Sequence, residues 1–281
     1  MRGRGYRIQH TVTAALKITV LLVLASWVFA PFVSVVLWSV ARKWYWPSLL
    51  PQELGLDYWY EALGLRRGYA LTAAVGIIDA LKTSIVIALI VTVITELISL
   101  PTAYALAKWR IPLKPLLVFL FLMPQAFPLQ PVYVNLLLIF YRLGLAGAVP
   151  GVVIAHIIPC LVYAVWINAA TFKSIPPDYE ESARVHGAGP LTTFFRITLP
   201  LSAPGLIASS VFVFLYSFDE FTGTFFIGLP NVVTLPMLLY SASGYNMQFA
   251  SAVAITLLIP SIIFMVVLER FLKSEYIAKI G

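Results

Sequence analysis

Long apolar runs alternate with short charged clusters along most of the chain. Six of these runs reach or approach the roughly 20 residues that a helix needs to cross a membrane. A pattern of this kind predicts an all-α integral membrane protein with six transmembrane helices. The runs cover residues 18–41, 83–107, 116–141, 149–172, 201–218 and 249–268.

The third run differs from the others because it contains Pro124, Pro128 and Pro131. Each proline removes a backbone donor and disturbs a helix. Freed carbonyl groups at membrane depth must be satisfied by protein or by water. We therefore expect a broken or kinked span in this region.

Composition supports the membrane interpretation. The 281 residues are 60% hydrophobic and 11% charged, and the mean hydropathy is +0.91, whereas soluble domains average about 25% charged residues. The net charge of +7 would favour nucleic acid binding in a soluble protein, but here the charges lie in clusters between apolar runs. We expect contact with membrane lipid and none with nucleic acid. The single cysteine, Cys160, lies in an apolar run and is expected to be a packing residue.

The distribution of Lys and Arg predicts the orientation. With the N-terminus inside, 13 of the 19 basic residues fall on the inner side, as the excess of Lys and Arg in cytoplasmic loops requires. Both termini are then cytoplasmic, with residues 1–17 and 269–281 flanking a membrane domain of residues 18–268. The inner residues are Arg2, Arg4, Arg7, Lys17, Lys108, Arg110, Lys114, Lys173, Arg184, Arg196, Arg270, Lys273 and Lys279, and the outer ones are Arg42, Lys43, Arg66, Arg67, Lys82 and Arg142.

The first outer loop is rich in aromatic residues. Such rings favour the membrane–water interface, so the loop is either an interfacial anchor or a docking surface for an external partner. The rings are Trp44, Tyr45, Trp46, Tyr58, Trp59 and Tyr60.

Residues 173–204 are unlike the apolar runs on either side. Asp178 can cap a short helix whose first turn is acidic, which suits the helix dipole. Gly187, Gly189 and Pro190 end that helix, and a second short helix over 191–197 leads to the fifth run. The spacing predicts a helix–turn–helix against the inner membrane face. It is either an ordinary connector or a site that receives force from a cytoplasmic partner.

This segment resembles the EAA loop of binding-protein-dependent ABC importer permeases, and we call residues 173–204 the EAA loop. The family pattern is Glu-Ala-Ala, three residues, Gly, nine residues and Ile-x-Leu-Pro. This chain departs from the family pattern at Ser182, where alanine is usual, and at His186, where Asp is usual. The second run also ends in a similar stretch, LPTAYALAKWR. The matching positions are Glu181, Ser182, Ala183, Gly187, Ile197, Leu199 and Pro200.

The resemblance implies a type I importer permease fold (MetI-like) in a bacterial or archaeal cytoplasmic membrane. The EAA loop would then carry a coupling helix that seats in a groove on a separate ATPase subunit, with Glu180 joining the matching residues as a contact. The implied partners are a dimer of ATPase subunits, a second permease chain, expected to differ from this one, and an extracytoplasmic solute-binding protein.

The sequence carries no catalytic motif of its own. A Walker loop needs a Gly-Lys pair, which is absent, and HExxH, CxxC and GxSxG are absent too. We therefore expect a non-catalytic subunit that binds no cofactor and no metal, with ATP and Mg²⁺ on the partner ATPase.

Several polar residues fall within or at the ends of the apolar runs. Ionisable groups in the hydrocarbon layer usually face protein or water, so each residue either lines a solute path or fixes helix packing. For the two acids at the end of the fifth run, Asp219 and Glu220, a solvated helix end is the favoured interpretation. The candidates for the path are Glu96, Tyr163, Asn168, Tyr216, Asp219 and Glu220, and His156 is a further ionisable group of the fourth run.

The solute is the least determined feature. The run SFDEF and the C-terminal sequence resemble polyamine-type permeases, and acidic side chains suit a cation. A sugar permease is the alternative. A self-sufficient secondary transporter or channel would show inverted repeats and more ionisable residues at mid-membrane, and a membrane enzyme or assembly factor would need a catalytic constellation that is missing.

Overall fold

The apolar runs form helices because lipid offers no partner for backbone N–H and C=O groups. The structure is a computed structural model that describes residues 2–65 and 76–278. Arg66, Arg67 and Lys279, which entered the charge count, lie outside the described residues. The helices are α1 (Arg2–Ser39), α2 (Asp57–Ala62), α3 (Ile77–Lys108), α4 (Lys114–Ala126), α5 (Leu129–Arg142), α6 (Val149–Ser174), α7 (Pro177–Val185), α8 (Pro190–Thr193), α9 (Leu199–Phe218), α10 (Leu235–Ser243) and α11 (Met247–Ala278).

Five helical segments of the described chain are long and apolar enough to cross a membrane, and the bent pair α4–α5 makes a sixth. The predicted set of six transmembrane helices is therefore confirmed, with one of them broken. The five unbroken segments are Leu16–Ser39, Ile77–Lys108, Val149–Ser174, Pro190–Phe218 and Met247–Val266.

The third span is broken between α4 and α5, as its prolines predict. The two helices meet at 92°. Pro128 caps α5 with an extended backbone, at φ −58° and ψ 125°. Pro131 falls in the first turn of α5, where the missing N–H has no intrahelical acceptor to lose. Pro124 lies inside α4 without ending it.

The chain divides into two compact units, of which the first joins residues 1–73 to residues 242–255. Every side chain from 16 to 34 of α1 is exposed. A helix that is apolar on all faces needs lipid or another protein around it. Two short antiparallel strands follow, β1 (Ala41–Lys43) and β2 (Glu53–Leu54).

The aromatic loop of this unit is partly packed and partly open. Trp44 stacks on Trp38 with ring centroids 4.4 Å apart, and Tyr58 is buried, whereas Trp46 is 92% exposed. Two of the predicted outer cations are paired locally, Arg42 with Asp57 and Lys43 with Glu53, both at 2.6 Å. Whether the open rings anchor the interface or dock a partner stays a prediction.

The second unit comprises residues 74–241 and 256–281. Its centre is formed by α3, α6 and α9, which pack against one another. Ile87 and Val91 of α3 meet Val152 of α6 and Val213 of α9 in one buried cluster, and Cys160 is fully buried in the same cluster. The expectation that Cys160 is a packing residue is confirmed.

Helices α6 and α9 approach closely at Gly205. A Cβ added at this glycine would overlap the Thr171 side chain of α6, whose hydroxyl donates to the Ile167 carbonyl at 2.9 Å. Small residues allow this kind of close approach between membrane helices, where packing and not the hydrophobic effect drives association.

We predict that Gly205→Val lowers the thermal unfolding midpoint of the purified chain in detergent. The added methyl groups displace Thr171, and overpacking of this kind costs roughly 1–3 kcal/mol. The control is Gly189→Val, because a Cβ at Gly189 meets no atom within 4 Å. Equal midpoints for the two variants would show that the stability of the α6–α9 packing does not depend on this contact.

Candidate functional site

The EAA loop contains a short helix, α7, which two prolines precede and begin. Helix α7 begins at Pro177, and Pro176 is its N-cap residue without a capping side chain. The prediction that Asp178 caps this helix is wrong. Asp178 lies inside the first turn, because proline at the first helical position needs no N–H and already has the helical φ angle. Its carboxylate still complements the positive end of the helix dipole.

The helix ends at the glycine of the motif. Gly187 has φ +84°, a left-handed conformation that glycine adopts without steric cost. Its N–H donates to the Arg184 carbonyl at 2.9 Å, and the Ala188 N–H donates to the Ala183 carbonyl at 3.0 Å. These two bonds satisfy carbonyls at the helix end in the pattern of a Schellman motif.

The sequence predicted a second short helix over 191–197, distinct from the fifth span. In the structure the two are continuous. Helix α8 continues through a π-helical turn, Phe194–Thr198, directly into α9. Pro200 follows that turn and lacks the N–H that an α-helix would donate to residue 196. A π turn next to proline absorbs this mismatch without ending the helix. Helices α8 and α9 therefore form one continuous helical segment.

The two adjacent acids of the motif point in different directions. Glu180 is only 5% exposed, whereas Glu181 is exposed. The Thr198 hydroxyl donates to Glu180 Oε1 at 2.8 Å, and Lys108 Nζ lies 3.6 Å from the same oxygen. Lys108 also donates to the Ile175 carbonyl at 2.9 Å. Glu180 thus binds α7 to the C-terminal end of α3 and to the start of α9.

The opposite face of α7 is open. Glu181 and Ser182 are exposed, Val185 of the same helix is 85% exposed, and Leu191 of α8 is 74% exposed. Ala183 is buried. Of the closing residues of the motif, Ile197 and Leu199 are half-buried and Pro200 is exposed.

At the other end of α9 the two acids also differ. Asp219 is exposed, in agreement with a solvated helix end, but Glu220 is only 8% exposed, so that interpretation is wrong for Glu220. One Glu220 oxygen, Oε2, accepts from the Gly223 N–H at 2.8 Å and lies 3.4 Å from His156 Nε2. Glu220 follows the end of α9 at Phe218, and its carboxylate points into the protein toward Gly223 and His156.

His156 joins three segments around that carboxylate. Its ring is fully buried, with Nδ1 2.9 Å from the Ser217 hydroxyl and Nε2 2.9 Å from the Thr224 hydroxyl. The cluster therefore fastens α6 to the end of α9 and to the π-helical turn Thr224–Gly228.

A cleft of about 470 Å³ opens beside this cluster, lined by Tyr216, Asp219, Glu220 and Phe212 together with Leu129, Leu215, Phe221 and Thr222. We call it the aromatic cleft. The Tyr163 ring lies 5.1 Å from the Phe212 ring and 5.2 Å from the Tyr216 ring. Four of the predicted path residues, Tyr163, Tyr216, Asp219 and Glu220, are therefore close together.

Glu96 and Asn168 do not line the aromatic cleft. Glu96 Oε1 accepts from the Ser209 hydroxyl at 2.8 Å, and Oε2 accepts from Asn168 Nδ2 at 2.7 Å. Asn168 Nδ2 also lies 2.8 Å from Ser99 Oγ. The network joins α3, α6 and α9 and has the geometry expected of a packing role.

Several residues of these sites were missed by sequence reasoning. Thr198, Ser209 and Phe212 gave no signal, because a hydroxyl or a ring in an apolar run is common. Lys108 was counted only as a topological charge. Among the described residues, no group of three or more His, Cys, Asp or Glu side chains is placed to hold a metal ion.

Comparison with known proteins assigns the family. The sequence profile described as "Binding-protein-dependent transport system inner membrane component" matches residues 97–275. The chain belongs to this family. The match includes the whole EAA loop, the aromatic cleft and the partners of Glu96, which are Ser99, Asn168 and Ser209, whereas Glu96 itself lies one residue before the matched range.

Two curated relatives cover most of this permease at similar identity. A putative ABC transporter permease protein, ORF1 of Streptomyces antibioticus, is 31% identical over 69% of this chain and 87% of its own length. The trehalose transport system permease protein SugB of Mycobacterium tuberculosis is 31% identical over 68% of this chain and 72% of its own length.

The fold also matches solved ABC importers. A chain of a bacterial ABC transporter involved in the import of the acidic polysaccharide alginate aligns with a TM-score of 0.68 at 20% identity, over 93% of this permease and 97% of that chain. The expected type I importer fold is therefore confirmed.

We predict that Glu180→Gln and Glu181→Gln differ in stability although both remove one charge from neighbouring positions. Glu180→Gln leaves the Lys108 ammonium without its anion in a mostly buried site, at a cost of roughly 1–3 kcal/mol, so the unfolding midpoint falls and the EAA loop becomes sensitive to trypsin at Arg184. Glu181→Gln is exposed and leaves both properties unchanged. A matching fall in the two variants would contradict the assignment of Glu180 as the anchor.

Proposed function

We propose that this permease is the membrane subunit of a carbohydrate ABC importer, and that its EAA loop docks on a separate ATPase subunit in the cytoplasm. The observation that supports docking is the division of α7 into two faces. Glu180 holds one face to the spans, and Glu181, Ser182 and Val185 leave the other face open.

The anchored helix is suited to carry force. A short helix fixed at both ends moves as one body with whatever occupies its open face. The Glu180 contacts lead to α3 through Lys108 and to α9 through Thr198. Docking of a short helix in a groove is a common recognition mode. Movement of the ATPase would therefore bias the spans between two states, as a population shift requires.

The aromatic cleft supports a sugar as the solute. Rings of Phe212, Tyr216 and Phe221 offer flat apolar faces, Tyr216 adds a hydroxyl group, and Asp219 offers an exposed acceptor. Ligand sites combine apolar and aromatic walls with a few placed polar groups. Sugar rings present both apolar C–H faces and hydroxyl donors, so they match both parts of this lining.

A polyamine matches less well. Such a ligand carries two or more positive charges and needs several free carboxylates. Of the two acids in the cleft, Glu220 is already engaged by the Gly223 N–H and lies beside His156, which leaves Asp219 as the exposed one. The relatives point the same way, since SugB is named for trehalose and a solved neighbour for alginate, and neither is named for a polyamine.

The remaining assignments follow from the family and complete the proposal. A solved alginate importer of the same fold is described in complex with a pentasaccharide-bound periplasmic protein, which supports an extracytoplasmic binding protein here. We further propose both termini in the cytoplasm, a second permease chain beside this one, and ATP with Mg²⁺ on the ATPase alone.

We predict that Glu181→Lys and Gly187→Val uncouple transport. The first reverses the charge on the docking face, and the second puts a β-branched residue where φ is +84°, which tilts the end of α7. Uptake into vesicles should fall at least tenfold and copurification of the ATPase should weaken, while the amount of inserted permease stays constant. Asp79→Lys is the control, because Asp79 is an exposed acid at the other end of α3. Normal uptake in both loop variants would contradict docking through this loop.

We predict that the aromatic cleft distinguishes sugars from polyamines. Tyr216→Leu removes one flat face and one hydroxyl, so uptake of a labelled disaccharide should fall about tenfold, given 1–3 kcal/mol per lost stacking or hydrogen-bonding group. Tyr141→Leu is the control, since Tyr141 is 79% exposed and does not line the cleft. Uptake of spermidine that is abolished by Asp219→Asn, with no uptake of trehalose or maltose, would favour the polyamine permease instead.

A further inference from the structure

A second concavity lies between α4, α6 and the last turns of α3. It is a groove of about 310 Å³, and it shares no lining residue with the aromatic cleft. Its walls are almost wholly apolar, with Phe121 and Leu122 from α4 and Val165 and Trp166 from α6. Trp166 is 56% exposed, so the groove is open along one side. We call it the lysine-rimmed groove.

Two lysines stand at one end of this groove. Lys114 is the first residue of α4, and Lys173 is the last residue but one of α6. Both ends lie on the membrane side that carries α7, since α7 follows α6 after a short turn. No acidic residue lines the groove, and neither lysine has an ion-pair partner within residues 2–65 or 76–278.

The contrast with Lys108 is informative. Lys108 ends the neighbouring α3 at the same membrane side, and its charge is matched by Glu180 at 3.6 Å. Lys114 and Lys173 have no such match in the described part of the chain. Two cations at the rim of an apolar groove suit an occupant that is anionic at one end and apolar along its length.

We propose that the lysine-rimmed groove binds an anionic phospholipid, with the phosphate at Lys114 and Lys173 and one acyl chain along Phe121, Val165 and Trp166. Basic pockets between transmembrane helices at the cytoplasmic side recognise anionic head groups. Long lysine side chains reach the head-group level while their stems cover apolar surface. A soluble anion such as phosphate would use the rim but would leave the apolar walls uncovered. The inference does not depend on which solute the permease carries.

The test uses the full chain reconstituted in phosphatidylcholine vesicles with a variable fraction of lipid carrying brominated acyl chains, which quench nearby tryptophan. The chain has seven tryptophans, so the Trp166 signal is taken as the difference between wild type and Trp166→Phe. Brominated phosphatidylglycerol should quench this signal at a fraction roughly 30-fold lower than brominated phosphatidylcholine, as two basic contacts imply. In Lys114→Gln/Lys173→Gln the two lipids should quench equally.

Two further variants separate the outcomes. Lys17→Gln/Arg110→Gln removes the same charge on the predicted inner side without touching the groove, and it should keep the preference. Ala170→Phe fills the groove from its exposed edge and should reduce quenching by both lipids. The proposal is overturned by equal quenching in the wild type, by an absence of Trp166 quenching, which would mean that protein covers the groove, or by loss of the preference when glycerol phosphate is added.

Discussion

One buried carboxylate attaches the EAA loop to the membrane spans. Glu180 accepts a hydrogen bond from the Thr198 hydroxyl and forms an ion pair with Lys108. These two contacts join α7 to both α9 and α3. Removing a partner from a mostly buried ion pair is far more disruptive than removing an exposed charge. The adjacent Glu181 side chain is exposed. A helix anchored on one face and exposed on the other is the arrangement that the proposed docking on an ATPase requires.

Polar side chains also join helices deeper in the membrane domain. Glu96 and Asn168 could each have marked a solute path, but they bind each other and Ser209 across three helices. Polar side chains buried among membrane helices commonly act as interhelical contacts. The close approach of α9 to Thr171 at Gly205 works alongside this network. Together these contacts hold α3, α6 and α9 against one another.

The aromatic cleft lies at the far end of these helices. Glu220 is turned inward to Gly223 and His156, while Asp219 remains exposed. The exposed charge in the cleft is therefore smaller than the acidic run SFDEF implies, and three aromatic rings, Phe212, Tyr216 and Phe221, stand beside it. This distribution is the observation that supports the proposal of a sugar over a polyamine.

The sequence by itself determined the membrane class, the six spans, the break in the third span and the family of the EAA loop, because apolar length, proline and motif spacing are properties of neighbouring residues. It also indicated that Gly187 ends α7, since a left-handed turn favours glycine. It could not show that Glu180 and Glu220 are buried while Glu181 and Asp219 are exposed. The burial of each acid depends on how its segment packs against the rest of the fold. Only the tertiary structure brought Lys108 to Glu180 and Ser209 to Glu96, since a contact between residues 72 or 113 positions apart is set by helix packing and leaves no local pattern.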